Sequence, residues 1–346
     1  MLSTEDILKL NVLISTSIAI RIDTYKLVVV GLNAQFKEQA IDLNPTYDSD
    51  AYIKAVKKLL INQILDTMGG YPSYLKRWSR IGQVASSNLA SLLKLGEVEA
   101  VVAVSNATNL DKDLLKLAWW CATNTDNQAE IGRLLLTKDL CINTKVGKDI
   151  AHYLLEFLPF TQDVEQLIDT TNLILQKDLI SKQEKAKLWE QGQRKTALLV
   201  GFIERIQSNL PSEVDQTPLD FKHQDLQVVS SKQAQLLLKT LIHILKKINQ
   251  ETILYRTLNV LGQYLSHSSI TCKESINNII NQANIITHDT KDEKEKLFAR
   301  MLLAGVSERL VISTISAHNL TGSAIRKKLI NILEPIQKAL NTLTTP

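Results

Sequence analysis

A chain of 346 residues with 45% hydrophobic and 22% charged side chains has the composition of a folded globular protein, not of a disordered or fibrous one. Forty basic against 36 acidic residues leave a net charge of only +4, without the marked basic excess of a dedicated duplex-DNA binder. Three cysteines, odd in number and widely spaced, exclude a disulfide scaffold and spell no CxxC metal or redox motif. Aromatic residues make up only 5%, and the 12 glycines and 7 prolines are few for an all-β protein with its many turns. Leucine, lysine, glutamine and glutamate are abundant instead, so a mainly α-helical chain is expected.

In chain order, Thr4 to about Ser15 reads as a helix capped by Thr4, with Ile7, Leu10 and Ile14 on one stripe. The period then changes. Ile18, Ile20 and Ile22 alternate with Ala19, Arg21 and Asp23. Val28-Val29-Val30 follows, ending near Gly31 and Asn33, and a third short run spans Lys37 to Leu43. Three short runs separated by turn residues predict a small antiparallel β-meander over residues 1–47, together with the first helix.

From residue 48 to 210 the pattern is helical. Tyr52, Ile53, Val56, Leu59, Leu60 and Ile64 line one side of the first long helix, and Gly69-Gly70 stops it. Short helices are expected over 87–95, 97–105, 111–121, 127–136, 148–158, 163–176, 182–191 and 195–207. Residues 211–230, with Pro211 and Pro218, read as a linker. A C-terminal helical domain over 231–346 follows, with helices at 232–248, 252–265, 292–304, 307–316 and 323–340 and a further apolar stripe at Ile276, Ile279, Ile280 and Ala283. Short helices on short loops predict an irregular array, either a HEAT-like α-solenoid or a multi-helix bundle.

Chemistry-bearing motifs are missing from the sequence. Gly147-Lys148 lacks the rest of a P-loop, and there is no GxGxxG, HExxH, GxSxG or EF-hand loop. The six histidines stand at no metal-ligand spacing. No catalytic, metal or cofactor-binding residue is therefore assigned, and no cofactor is implied. The opening residues Met-Leu-Ser-Thr-Glu-Asp lack the basic region of a signal peptide, and charges interrupt every apolar stretch short of a membrane span. The expectation is a cytoplasmic protein with no membrane insertion.

Three segments rise above this background. In Gly69 to Arg80, a helical projection gathers Tyr71, Tyr74 and Trp78 on one side as structural anchors. Lys76, Arg77 and Arg80 fall on the opposite side as a partner-binding face for an acidic partner or phosphates. Trp119-Trp120 flanks the core stripe Leu114, Leu117, Ala118 and Cys121, a second pair of anchors. The segment Leu320 to Lys328 opens a helix and carries Arg326, Lys327 and Lys328, a second candidate partner-binding cluster. Gln191 to Lys195 is a weaker basic turn. Among the thiols, Cys141 sits where a turn is expected and is the one candidate for reactivity.

These landmarks, in this order, resemble the sulfur reduction protein DsrS family, which accompanies the reverse dissimilatory sulfite reductase system of sulfur-oxidising bacteria. The pieces that carry the likeness are Gly69-Gly70-Tyr71-Pro72 with Tyr74 to Trp78, Leu95 to Val102, Trp119-Trp120, Leu155 to Phe160 and Leu199 to Phe202, so it covers about residues 1–210. The resemblance implies a non-catalytic accessory or regulatory protein of sulfur oxidation that acts through protein–protein contact. It transfers no active-site residue. Two other readings stand beside it: a nucleic-acid-binding regulator using the basic helix faces, and a sulfur-handling enzyme dependent on Cys141.

Overall fold

The computed structural model describes residues 2–68, 86–211, 218–271, 275–288, 290, 293–318 and 322–345. The protein is mainly α-helical, with a small antiparallel sheet near the N-terminus. It divides into two compact units, Met1–Phe157 and Leu158–Pro346. None of the described helices is long and apolar enough to cross a membrane.

The first unit opens with helix α1, Thr4–Thr16. Its cap is Ser3, one residue before the expected Thr4: the Ser3 side chain accepts from the Asp6 amide at 3.0 Å. Leu10 and Leu13 are its fully buried apolar positions. The chain then passes straight into strand β1, Ser17–Asp23, which pairs with β2, Val28–Asn33, and β2 pairs with β3, Glu38–Asp42. Both pairings are antiparallel and the order is β1-β2-β3.

The two turns are built by short polar side chains that fold back on the backbone. Asp23 Oδ1 accepts from the amides of Tyr25 and Lys26, and Asn33 Oδ1 accepts from those of Gln35 and Lys37. Helix α1 crosses one face of the sheet at Gly31. A Cβ there would stand 2.1 Å from Ser17 Oγ and 2.7 Å from a Leu13 methyl, so only glycine permits the approach.

Helix α2, Ser49–Met68, buries Tyr52, Ile53, Val56, Leu60 and Ile64 as its period foretold. The Tyr52 hydroxyl donates to the buried Asp6 carboxylate, which ties α2 to α1. Helices α3 (Ser86–Leu92), α4 (Val98–Asn106), α5 (Lys112–Ala122), α6 (Gln128–Leu136), the short α7 (Asp139–Ile142) and α8 (Lys145–Phe157) follow among the described residues of the unit. Helices close in sequence pack together: α4 on α5 and α6, and α5 and α6 on α8. The inner edge of the sheet is closed, because the Ile20 amide donates to the Leu93 carbonyl at 2.9 Å.

The second unit begins with a 3-10 turn, Leu158–Phe160, followed by α9 (Val164–Ile174), α10 (Lys182–Gly192) and α11 (Thr196–Arg205). A 3-10 segment, Gln224–Val229, leads into α12 (Lys232–Lys247), α13 (Glu251–Tyr264), α14 (Ile276–Ile286), α15 (Lys294–Ala304), α16 (Arg309–His318), α17 (Ser323–Lys328) and α18 (Ile330–Thr344). The single helix expected over 323–340 is thus two, parted at Leu329.

In a solenoid each element touches only its near neighbours. Here α18 returns to pack on α12 as well as α15, so the second unit is a bundle. The buried Gln235 of α12 fastens this return: its side-chain amide donates to Val229 O at 2.6 Å and to Leu343 O at 3.1 Å.

The linker expected at 211–230 does not coincide with the division between the units. Helix α11 packs on α12 and α13 across it. Leu210, Phe221, Leu226 and Val229 are buried, and the Leu219 amide bonds Ser230 O. Two prolines and mixed charge read as loop from sequence alone, but the apolar residues after Pro218 give that part of the stretch a share in the core. Arg256 of α13 binds it further into one body by holding Glu204 of α11 at 2.6 Å and Asp169 of α9 at 2.7 Å.

Candidate functional site

The sequence singled out two basic clusters. Lys76, Arg77 and Arg80, with the anchors Tyr71, Tyr74 and Trp78, lie outside the described residues. Arg326, Lys327 and Lys328 form the last turn of α17 and are all exposed.

The structure gives that second cluster company. The Arg326 guanidinium donates to the Lys246 carbonyl at 2.6 Å, at the C-terminal end of α12, and the Gly322 amide donates to Asn249 O at 2.9 Å. On the other flank, Lys247 Nζ and His243 Nε2 both reach the Gln193 carbonyl, at 3.0 and 3.2 Å. The α10–α11 turn and α17 are therefore both docked on the end of α12. Three segments thus meet at this end of α12, and the cations they carry, Arg194, Lys195, Lys246, Lys247, Arg326, Lys327 and Lys328, are every one exposed. Among the described residues none of the seven has a carboxylate within ion-pair distance.

The local physics explains part of the arrangement. The last carbonyls of a helix lack intrahelical partners and carry the negative end of its dipole, so cations gather there. Arg326 satisfies one such carbonyl and Lys247 a neighbouring turn. Seven charges exceed what one helix end requires. Ile330, 54% exposed, opens α18 two residues after Lys328.

Trp119 and Trp120 are used internally. Trp119 meets Tyr153 edge-on at 5.5 Å, and Tyr153 stacks on Phe157 at 6.0 Å. Gly132 lets them close, since a Cβ there would lie 3.3 Å from the Trp119 ring. Trp120 lies under the Arg21 guanidinium at 4.5 Å, and its Nε1 donates to Glu38 Oε1 at 2.7 Å. Arg21 also binds Glu38 at 3.2 Å and the Trp120 carbonyl at 3.2 Å.

The Cys141 expectation is corrected. Its residue is not in an open turn but in α7, fully buried, with Gly147 packed against its carbonyl. Burial pushes the thiol up to about 12, and Cys121, also buried, up to about 12. A thiol held neutral and covered is not a nucleophile. Cys272 lies outside the described residues.

Sequence spacing could not reveal a polar cluster in the second unit. His223 Nδ1 and His267 Nε2 stand 3.8 and 3.6 Å from the Asp225 carboxylate, and the buried Arg300 donates to the Asp225 carbonyl at 2.8 Å. The histidine separations exceed hydrogen-bond reach, so no acid–base dyad is assembled. The Lys222 and His223 amides bond Glu293, and the cluster secures the 3-10 segment.

In the first unit a half-enclosed cavity of about 190 Å³ is lined by Lys57, Glu97, Tyr25 and Asp126 among others. Lys57 pairs with Glu97 at 3.7 Å and Tyr25 with Asp126 at 3.3 Å, so its charged groups answer one another. Burial raises the Glu97 carboxyl above its ordinary value against the pull of Lys57. No group of three or more metal-ligating side chains comes together among the described residues. Compared with protein-family models, with curated proteins and with solved structures, the chain matches none.

Proposed function

We propose that the protein is a non-catalytic interaction protein that docks an acidic protein partner on the cationic end of α12. The observation that carries this reading is the gathering of seven exposed, carboxylate-free cations from three separate segments. Such a surface attracts and orients an acidic patch and discriminates against basic ones. The exposed Ile330 at its margin offers the apolar contact that a protein partner uses and a phosphate backbone does not.

A single-strand nucleic-acid platform would set aromatic rings among the cations for base stacking. The seven cations are flanked by an aliphatic residue instead. In keeping with the family resemblance, the partner class is a component of the sulfur-oxidation machinery, and the role is accessory.

The test uses the full chain and a Lys246→Glu/Lys327→Glu/Lys328→Glu variant as baits in extract from a sulfur-oxidising host. The reading expects sulfur-pathway proteins with the first bait, released by moderate salt, and none with the second. Equal recovery by both baits would overturn it, as would retention of nucleic acid alone.

A further inference from the structure

The two edges of the N-terminal sheet differ. The β1 edge is closed by Leu93, but nothing among the described residues pairs with the outer edge of β3. The ladder fixes which groups face outward. Asn33 N donates to Lys37 O and Leu43 N to Leu27 O, so residues 37, 39, 41 and 43 turn their amides inward to β2. Glu38, Ala40 and Asp42 turn theirs to solvent.

Beside this edge runs a groove of about 600 Å³, walled by Leu8 and Val12 of α1 on one side and Gln39 to Asp42 on the other. Leu8 is 67% and Val12 49% exposed. They stand one helical turn apart, an apolar ledge beside the open strand, with Lys9 between them paired to Glu5.

We propose that the β3 edge receives an extended segment of a partner protein as a fourth antiparallel strand, with cationic and apolar side chains in alternation. Backbone pairing to Ala40 supplies the attachment, and the side-chain alternation supplies selectivity. Residues of the guest opposite Gln39 and Ile41 share the face crossed by α1 and rest on the Leu8–Val12 ledge. Residues opposite Glu38 and Asp42 fall on the other face, where two carboxylates await them. Glu38 already holds Arg21 and the Trp120 N–H, whereas Asp42 has no ion-pair partner among the described residues and is the freer of the two. The same two carboxylates argue against a second copy of this chain. Antiparallel self-pairing about Ala40 sets Glu38 opposite Asp42 twice, and like charges directly opposite are repulsive.

The experiment is fluorescence polarisation with a labelled nonapeptide of alternating lysine and valine, against the full chain. A matched peptide of alternating glutamate and valine and a lysine–valine peptide of the same composition in two blocks serve as controls. Saturable binding of the first, weakened at least tenfold in both controls, is expected. Ala40→Pro removes an outward amide without breaking a ladder bond and is expected to abolish binding with an unchanged circular dichroism spectrum. Should that variant unfold, Leu8→Ser/Val12→Ser alters only exposed side chains and is expected to weaken binding at least fivefold. Absence of binding, equal binding of the glutamate peptide, or full affinity in a folded Ala40→Pro chain would overturn the proposal. So would a dimer in sedimentation that Ala40→Pro converts to monomer. A cationic probe is repelled by the surface at the end of α12, so this outcome and the fate of the acidic-partner reading are independent.

Discussion

Trp120 and Lys246 both occupy the last turn of a helix, one on α5 in the first unit and one on α12 in the second. Around Trp120 every conspicuous group is consumed within the unit: the indole ring by Arg21, its N–H by Glu38, its carbonyl by Arg21 again. Around Lys246 the backbone is answered but the charges are not. Arg326 caps the Lys246 carbonyl and Lys247 holds Gln193 O, and a surplus of cations is left facing solvent. The contrast gives a criterion for reading function from composition. Unusual residues signal a partner only where the chain itself leaves their interactions open.

The sharpest way to break this comparison is charge reversal at the end of α12. Lys246→Glu/Lys327→Glu/Lys328→Glu is expected to weaken binding of an acidic partner about 100-fold, or about 2.7 kcal/mol, in calorimetric titration. Its thermal unfolding should match the parent chain, since exposed charges contribute little to the folded state. Loss of stability instead of binding would place those lysines with the internally consumed groups.

The mirror experiment is Trp119→Ala, which removes a half-buried ring from the Tyr153 edge contact. A fully buried tryptophan costs roughly 3–5 kcal/mol to truncate, and at this exposure about 2 kcal/mol is expected in denaturant unfolding, with no change in partner affinity.

Next come the thiols. Cys121 and Cys141 are pushed from 9.0 up to about 12 by burial, so the folded chain holds their protons where the unfolded chain releases them. Their contribution is complete below pH 9 and falls as pH rises from there toward 12, by about 1 kcal/mol for each thiol per pH unit. Cys141→Ala should flatten the alkaline decline measured by denaturant unfolding. In a Cys272→Ser background, the native chain should resist thiol labelling until it unfolds.

The smallest effect is expected at Arg326→Ala. Loss of its bond to the Lys246 carbonyl should lower stability by under about 1 kcal/mol, because the site is exposed and water replaces the donor.

Much of the architecture was legible because it is periodic. The β-meander followed from alternation at Ile18 to Asp23 and from the turn residues Gly31 and Asn33, and the α2 face from Tyr52, Val56 and Leu60. The cap at Ser3 was displaced by one position because Ser3 and Thr4 are chemically alike, and only backbone geometry separates them. The break at Leu329 carries no glycine or proline, so no local signal marked it.

The cationic surface was half legible. Arg326 to Lys328 and the Gln191 to Lys195 turn each stood out weakly, and their meeting depends on where α12 ends. That is a long-range packing outcome, and no spacing along the chain encodes it. The Cys141 expectation rested on reading Asp139 to Asn143 as a turn region and failed because that segment forms α7, where the thiol is fully buried with Gly147 close against the Cys141 carbonyl. The open β3 edge was hidden for the same reason: strand order and the position of α1 arise only in three dimensions.

The fastening of α12 by Gln235 to the Leu343 carbonyl bears on biosynthesis. Leu237, Leu238, Leu241 and Leu245 leave the ribosome well before α18, the element that covers part of their stripe, has been made. A nascent chain halted between α12 and α18 leaves that part of the apolar stripe without its cover, and uncovered apolar surface of this kind is prone to aggregate.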